Sequence, residues 1–133
     1  MIRAKNIAKA TLTATEIATI STTGVGIGLP FTLTAQTVSG TTAYALTAPF
    51  KFEVLDGHFI MGAAGGASDT IVMKNGSTAI TDTSDLSAKS DKEIVRFTTI
   101  DDAQSVVAKD ATFSFVTASD SKGLAVAHCI RRE

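Results

Sequence analysis

The sequence has few of the residues from which proteins usually build disulfides, metal sites or stacking surfaces. Its 133 residues include one cysteine, two histidines, one tyrosine and no tryptophan. A single cysteine excludes an intrachain disulfide, and Cys129 lies in an apolar strand pattern that is typical of a small packed hydrophobe. A chain of this length buries enough surface to fold as one domain without a disulfide or metal.

The sequence also lacks a large excess of charges of one sign and a long apolar run. Twelve basic residues stand against 13 acidic ones, for a net charge of −1. No long basic run offers a surface to nucleic acid, no apolar run is long enough to span a membrane, and the N-terminus lacks the apolar core of a secretory signal. We therefore expect no nucleic acid or membrane partner, and a chain kept in the cytosol or released by a non-secretory route such as lysis.

Residues that ligate metals do not occur at any recognised spacing. His58 and His128 are far apart in the sequence, and His128 adjoins Cys129, whose side chain would point to the opposite face of a strand. The aspartates of residues 82–91 lack the alternating ligands and central glycine of a calcium loop. We therefore predict no metal and no cofactor.

Motifs for nucleotide binding and for catalysis are equally weak. The Gly-rich run at residues 24–28 is followed by Leu29-Pro30 and an alternating strand, not by the helix that a phosphate site needs. No GxSxG elbow surrounds a serine, so we predict no catalytic residue. Glu53 and Asp56 leave open a glycosidase-like carboxylate pair, although the scarcity of aromatic residues removes the usual stacking surface for sugars.

From Phe31 onward, short alternating runs are separated by turn residues. Residues 31–35 place Phe and Leu on one face and Thr on the other. Asn75-Gly76 between two such runs predicts a β-hairpin with a type I′ turn, and Asp56-Gly57 predicts a turn or bulge before His58 resumes the strand. About seven to nine short strands with frequent turns predict an all-β domain, a β-sandwich or jelly-roll-like fold, over residues 31–133.

Residues 1–30 differ in character from the rest. Glu16 is the only charged residue between Ala10 and Phe50, and the Thr-rich alternation of residues 10–15 favours extended structure because β-branched residues lose side-chain freedom in a helix. We predict an extended N-terminal arm over residues 1–30 that covers an open sheet edge or docks on a neighbour. The residues predicted to bind a partner are the basic and apolar side chains of this arm: Arg3, Lys5, Ile7, Lys9, Leu12, Ile17 and Ile20.

Several strand and turn phrases resemble a known family. They are Ala43-Tyr44 through His58, Lys74 to Asp82, Asp91 to Arg96, Thr99 to Ala103, and Ala111 to Thr117. Together these phrases resemble the small capsid decoration or cement proteins of tailed bacteriophages. The resemblance extends over residues 43–128 and leaves the N-terminal arm outside it.

The resemblance implies a β-sandwich or jelly-roll subunit, often a homotrimer, without catalytic residues. Such a protein binds the exterior of an icosahedral phage head and bridges neighbouring major capsid proteins, after synthesis in the host cytoplasm. Three other functions stay open at this point. They are another virion component such as a head-fibre base or tail protein, a host-surface or glycan-binding β-module, and an enzyme of the hydrolase type.

Overall fold

The computed structural model describes residues 28–38 and 40–132, and within these residues every regular element is a β-strand. The strands are β1 (Pro30–Thr37), β2 (Thr42–Thr47), β3 (Phe52–Met61), β4 (Thr70–Asn75), β5 (Thr78–Ala79), β6 (Ser84–Asp85), β7 (Ile94–Arg96), β8 (Val106–Val107), β9 (Thr112–Ala118) and β10 (Gly123–Arg131). The predicted all-β sandwich is confirmed. The strand count is slightly higher than predicted because several strands have only two or three residues.

The strands form two antiparallel sheets. The first sheet has the order β1-β10-β3-β7, with β8 also paired to β3, and the second has the order β2-β9-β4-β5, with β6 also paired to β4. Strands that follow one another along the chain usually lie in opposite sheets. The long strands β3, β9 and β10 are therefore central, whereas β1 and β2 form one edge of each sheet.

The core lies between the two sheets and is filled largely by phenylalanine. Phe52, Phe59 and Phe113 are fully buried, and the rings of Phe52 and Phe113 meet edge-on across the sheets at 5.9 Å. Such edge-to-face contacts add to the stabilisation from buried apolar area. On β10 the small residues Ala125 and Ala127 face this core, which leaves room for the rings.

A β-bulge interrupts β3, as the Asp56-Gly57 pair predicts. Val54 pairs with Cys129 and Asp56 pairs with His128, so Leu55 is the extra residue. Leu55 is half exposed. Because the bulge shifts the alternation by one residue, Glu53 and Asp56 both lie on the outer face of the first sheet.

The predicted hairpin between β4 and β5 is present, but its turn lies one residue later than expected. Asn75 pairs with Thr78, so the two central turn residues are Gly76 and Ser77. Gly76 has φ of 61° and Ser77 keeps a negative φ, a combination that fits a type II′ turn with glycine first. The side-chain amide of Asn75 instead donates to the carbonyl oxygens of Gln104 and Val106, at 3.2 and 3.0 Å.

Candidate interaction surface

The two lateral sides of the sandwich are built differently. On one side, backbone hydrogen bonds join the two sheets, from the N–H of Asp82 to the carbonyl of Thr98 at 3.1 Å and from the N–H of Asp101 to the carbonyl of Ile80 at 2.8 Å. On the other side, β1 and β2 leave a cleft between them. We call the second side the open side and define it by β1 and β2.

The edge strands of the open side carry no charge. Residues 30–37 and 42–47 contain no Asp, Glu, Lys or Arg. Natural sheet edges are normally protected from pairing with other chains by charged residues, bulges or very short strands. The closed side has this protection, because its strands β5, β6 and β7 are only two or three residues long and Arg96 ends β7. The open side lacks it.

The cleft between the edge strands reaches the hydrophobic core. It has a volume of about 360 Å³ and is lined mostly by apolar side chains, namely Leu33, Ala35, Tyr44, Leu46, Phe113 and Phe115. Leu46 keeps 37% of its surface exposed, whereas Phe113 and Phe115 form the buried floor. An apolar side chain of a partner that enters this cleft would therefore contact partly exposed walls and a packed floor.

Tyr44 joins the two edge strands at one end of the cleft. It is half-buried, and its hydroxyl oxygen accepts a hydrogen bond from the backbone N–H of Val38 at 2.9 Å. This contact fixes the connection that carries the chain from the first sheet to the second.

A second apolar strip crosses the outer face of the first sheet. Leu124, Ile60 and Ile94 occupy one cross-strand row on β10, β3 and β7, and Ile94 is 66% exposed. A groove of about 580 Å³ begins beside Leu124 and Val38. This strip is a second apolar surface apart from the cleft, and within residues 28–38 and 40–132 it stays partly exposed.

The ionisable residues of this outer face are paired. Asp56 binds Arg96 through two hydrogen bonds, at 3.2 Å to Nε and 2.6 Å to Nη2. Burial acts to raise the pKa of Asp56, but the hydrogen bond and charge of Arg96, the N–H of Gly57 and the charge of His128 together hold that pKa below its ordinary value. Glu53 is likewise held by Arg132. Both carboxylates of the glycosidase-like pair considered from the sequence are thus engaged by arginine.

The two histidines lie together despite their distance in sequence. Nδ1 of His58 and Nε2 of His128 are 3.3 Å apart on the outer face of the first sheet. Their separation in the sequence argued against a shared metal site, but the fold brings them together because β3 and β10 are adjacent strands. As predicted, Cys129 points to the opposite face, where it is buried, and burial raises the pKa of its thiol to about 12.

The seven residues predicted to bind a partner all fall outside the described residues: Arg3, Lys5, Ile7, Lys9, Leu12, Ile17 and Ile20. The structure therefore describes only the point at which residues 1–27 join the domain. There, the N–H of Gly28 donates to the carbonyl of Arg131 at 2.6 Å, directly before β1. The signal in the sequence that marks the open side is the absence of charged residues from residues 30–47.

Other kinds of site are not apparent in the part of the chain that the structure describes. No group of three or more His, Cys, Asp or Glu side chains there converges on one point, and no helix there is long and apolar enough to cross a membrane. All eight aromatic side chains lie in the described residues and none is largely exposed. Comparisons with protein-family models, with curated proteins and with solved structures found no match.

Proposed function

We propose that this chain is a virion structural protein, a decoration or cement protein that binds the outer surface of an icosahedral phage head. In this proposal it acts as a homotrimer, bridges neighbouring major capsid proteins and stabilises the shell. The observation that carries the proposal is the open side, where two uncharged edge strands flank an apolar cleft. A domain with this construction is suited to adding a strand or an apolar segment from another chain.

The energetics of the open side favour association over turnover of a substrate. Burying apolar surface contributes about 25 cal/mol per Å², and an uncharged edge avoids the desolvation penalty that buried ions impose. The opposing cost is about 1–2 kcal/mol for each residue that becomes ordered. A single contact of this kind is modest, but many copies on one shell add their contributions.

The strand order supports the proposal at the level of the fold. The first strand pairs with the last, and each later pair joins strands closer to the middle of the chain: β1–β10, β2–β9, β3–β7 and β4–β5. This order is produced when one long antiparallel ribbon wraps around a core. We infer a jelly-roll winding from this order, an architecture that occurs in capsid domains and also in lectins. Fold alone does not determine function, so the argument depends on the open side.

The position of the N-terminal segment adds to the argument. Residues 1–27 join the domain next to β1, which is an edge of the open side. Residues 10–27 carry Glu16 as their only charge, so this part of the segment suits an apolar contact with the cleft of its own subunit or with a neighbour. We assign Leu12, Ile17 and Ile20 as apolar anchors and Arg3, Lys5, Ile7 and Lys9 as the flanking contacts of this segment with the shell or with a second copy.

Sedimentation of the full chain with undecorated heads of the phage that encodes it tests the proposal. We expect the protein to co-sediment, and Leu46→Lys to weaken binding at least about tenfold by placing a charge in the cleft, a cost of about 1.4 kcal/mol. Leu12→Lys and Ile17→Lys should also weaken it. The matched control is Thr78→Lys, an exposed position on the closed side, which should bind like the unmodified chain.

Two results would contradict the proposal. The first is an unmodified chain that does not bind heads, and the second is a Leu46→Lys variant that is folded and binds with full affinity. Electron microscopy that places the protein on tails would replace the decoration role with that of another virion component. Sedimentation equilibrium of the free protein tests the homotrimer separately.

A further inference from the structure

The chain has only two histidines, and the fold brings their ring nitrogens within 3.3 Å of each other. His58 lies on β3 and His128 on β10, diagonal to each other on the outer face of the first sheet, because His58 pairs with Val126 while His128 pairs with Asp56. Both imidazoles are half-buried. Their rings are tilted by 30°, with centroids 5.3 Å apart, so the facing nitrogens are closer than the ring centres.

This separation equals that of two ligands on one tetrahedral metal ion. With a Zn–N bond of about 2.05 Å and a tetrahedral angle, two ligand nitrogens stand about 3.3 Å apart. Square-planar or octahedral neighbours at the same bond length would stand about 2.9 Å apart. The 3.3 Å contact therefore places both nitrogens within bonding distance of one ion.

Among the described residues, the charged neighbours of this position compensate each other. Arg96 on β7 pairs with His58, and Asp56 on β3 pairs with His128. The charges of Arg96 and Asp56 neutralise each other through their bidentate contact. From β1, Thr32 is the partner of His128, and it brings no charge. The anionic Asp56 lies near enough to His128 for their charges to interact, so a cation bound at the imidazoles has a carboxylate close by.

We propose that His58 and His128 form a bidentate site for a borderline transition-metal ion of the Zn²⁺ class, bound through Nδ1 of His58 and Nε2 of His128. The ion takes the place of the hydrogen between the two nitrogens, and the neutral ring that carried this hydrogen takes up its proton at the far nitrogen instead, by exchange with solvent. Two positions of a tetrahedral ion stay open for water or for a side chain from another molecule. Imidazole ligands suit Zn²⁺, Ni²⁺ and Cu²⁺, whereas Mg²⁺ and Ca²⁺ take oxygen ligands.

This site is independent of the proposed function, since both histidines lie on the outer face of the first sheet, whereas the cleft of the open side lies between the two sheets. Calorimetric titration of the untagged full chain with ZnCl₂ at neutral pH tests it. We expect saturable binding of one ion per chain and no heat with MgCl₂. His58→Gln and His128→Gln should each weaken binding about a hundredfold, because each removes the second anchor of a two-point chelate.

A control and a second readout separate ligation from a purely structural histidine contact. Thr34→Gln changes an exposed residue of the same face and should leave the affinity for Zn²⁺ unchanged. In imidazole NMR spectra, the signals of both histidines should shift together with added Zn²⁺, and lowering the pH should weaken binding because protons compete for the same nitrogens. Absence of saturable Zn²⁺ binding, or equal binding by the His58→Gln/His128→Gln double variant, would overturn the proposal.

Discussion

The hydroxyl oxygen of Tyr44 accepts a hydrogen bond from the backbone N–H of Val38 at 2.9 Å, which joins the end of β1 to β2 at the open side. The cleft beneath this contact exposes part of Leu46 and reaches the ring of Phe113. The two edge strands are thus held at one end and separated along their length.

Replacing Tyr44 by Phe should therefore lower the free energy of unfolding without changing the fold. The ring remains, but the N–H of Val38 loses its partner, at a cost of about 0.5–1.5 kcal/mol. Urea unfolding followed by circular dichroism measures the difference. A variant as stable as the unmodified chain would show that this hydrogen bond does not hold the edge strands together.

Gly57 is required by close packing against β10 and against core side chains that include Met73 of the second sheet. A Cβ atom at this position would lie 2.7 Å from the carbonyl oxygen of Val126 and 3.0 Å from the side chains of Met73 and Phe97. We expect Gly57→Ala to lower the free energy of unfolding by about 1–3 kcal/mol. Gly66→Ala is the control, because its nearest atom would be 3.5 Å away, and it should change stability by less than about 0.5 kcal/mol.

The ion pair of Asp56 and Arg96 predicts a pH dependence of stability. Because the pKa of Asp56 is lower in the folded protein than its ordinary value of 3.8, its contribution is fully present above that value. The contribution is lost as the pH falls through the folded-state pKa. The stability difference between the unmodified chain and Asp56→Asn should therefore shrink on acidification, as measured by urea unfolding at several pH values.

Replacing Arg96 checks that this effect arises from the ion pair. Arg96→Gln removes the cation that lowers the pKa of Asp56, so it should remove most of the same pH dependence. Both side chains are substantially exposed, so the effect should be small at neutral pH and in high salt. A difference between the unmodified chain and Asp56→Asn that stays constant with pH would contradict this assignment.

Cys129 should be unreactive in the folded protein. Its side chain is buried among core residues, and a thiol whose pKa is raised to about 12 holds almost no thiolate at neutral pH. Ellman's reagent should give one thiol per chain in urea and a rate in native buffer that follows global unfolding. Rapid reaction under native conditions would mean that β10 opens locally.

The sequence was sufficient to predict the sandwich and much of its local structure. The alternation of residues 31–35 predicts β1, and the Asp56-Gly57 signal predicts the bulge in β3. The turn of the β4–β5 hairpin was displaced by one residue because Asn75 is held by the carbonyl oxygens of Gln104 and Val106. Such a long-range contact overrides the local turn preference.

Other features depend on how distant strands pair, and local sequence patterns do not predict them. Local patterning does not predict β2, because its residues 42–47 are mostly exposed and alternate weakly. The polar composition of residues 82–91 is typical of a surface loop, whereas these residues include β6 and the fully buried Leu86. The contact of His58 with His128 follows only from the adjacency of β3 and β10, which pairwise spacing in the sequence does not reveal.

Hydrogen–deuterium exchange of the full chain, free and bound to undecorated heads, tests the central claim most directly. If the open side is the interface, amides of residues 30–37 and 42–47 should gain protection on binding, while those of the closed side at residues 78–79 and 94–96 should not change. Protection confined to the closed side, or no change at the open side in a chain that binds heads, would contradict the account.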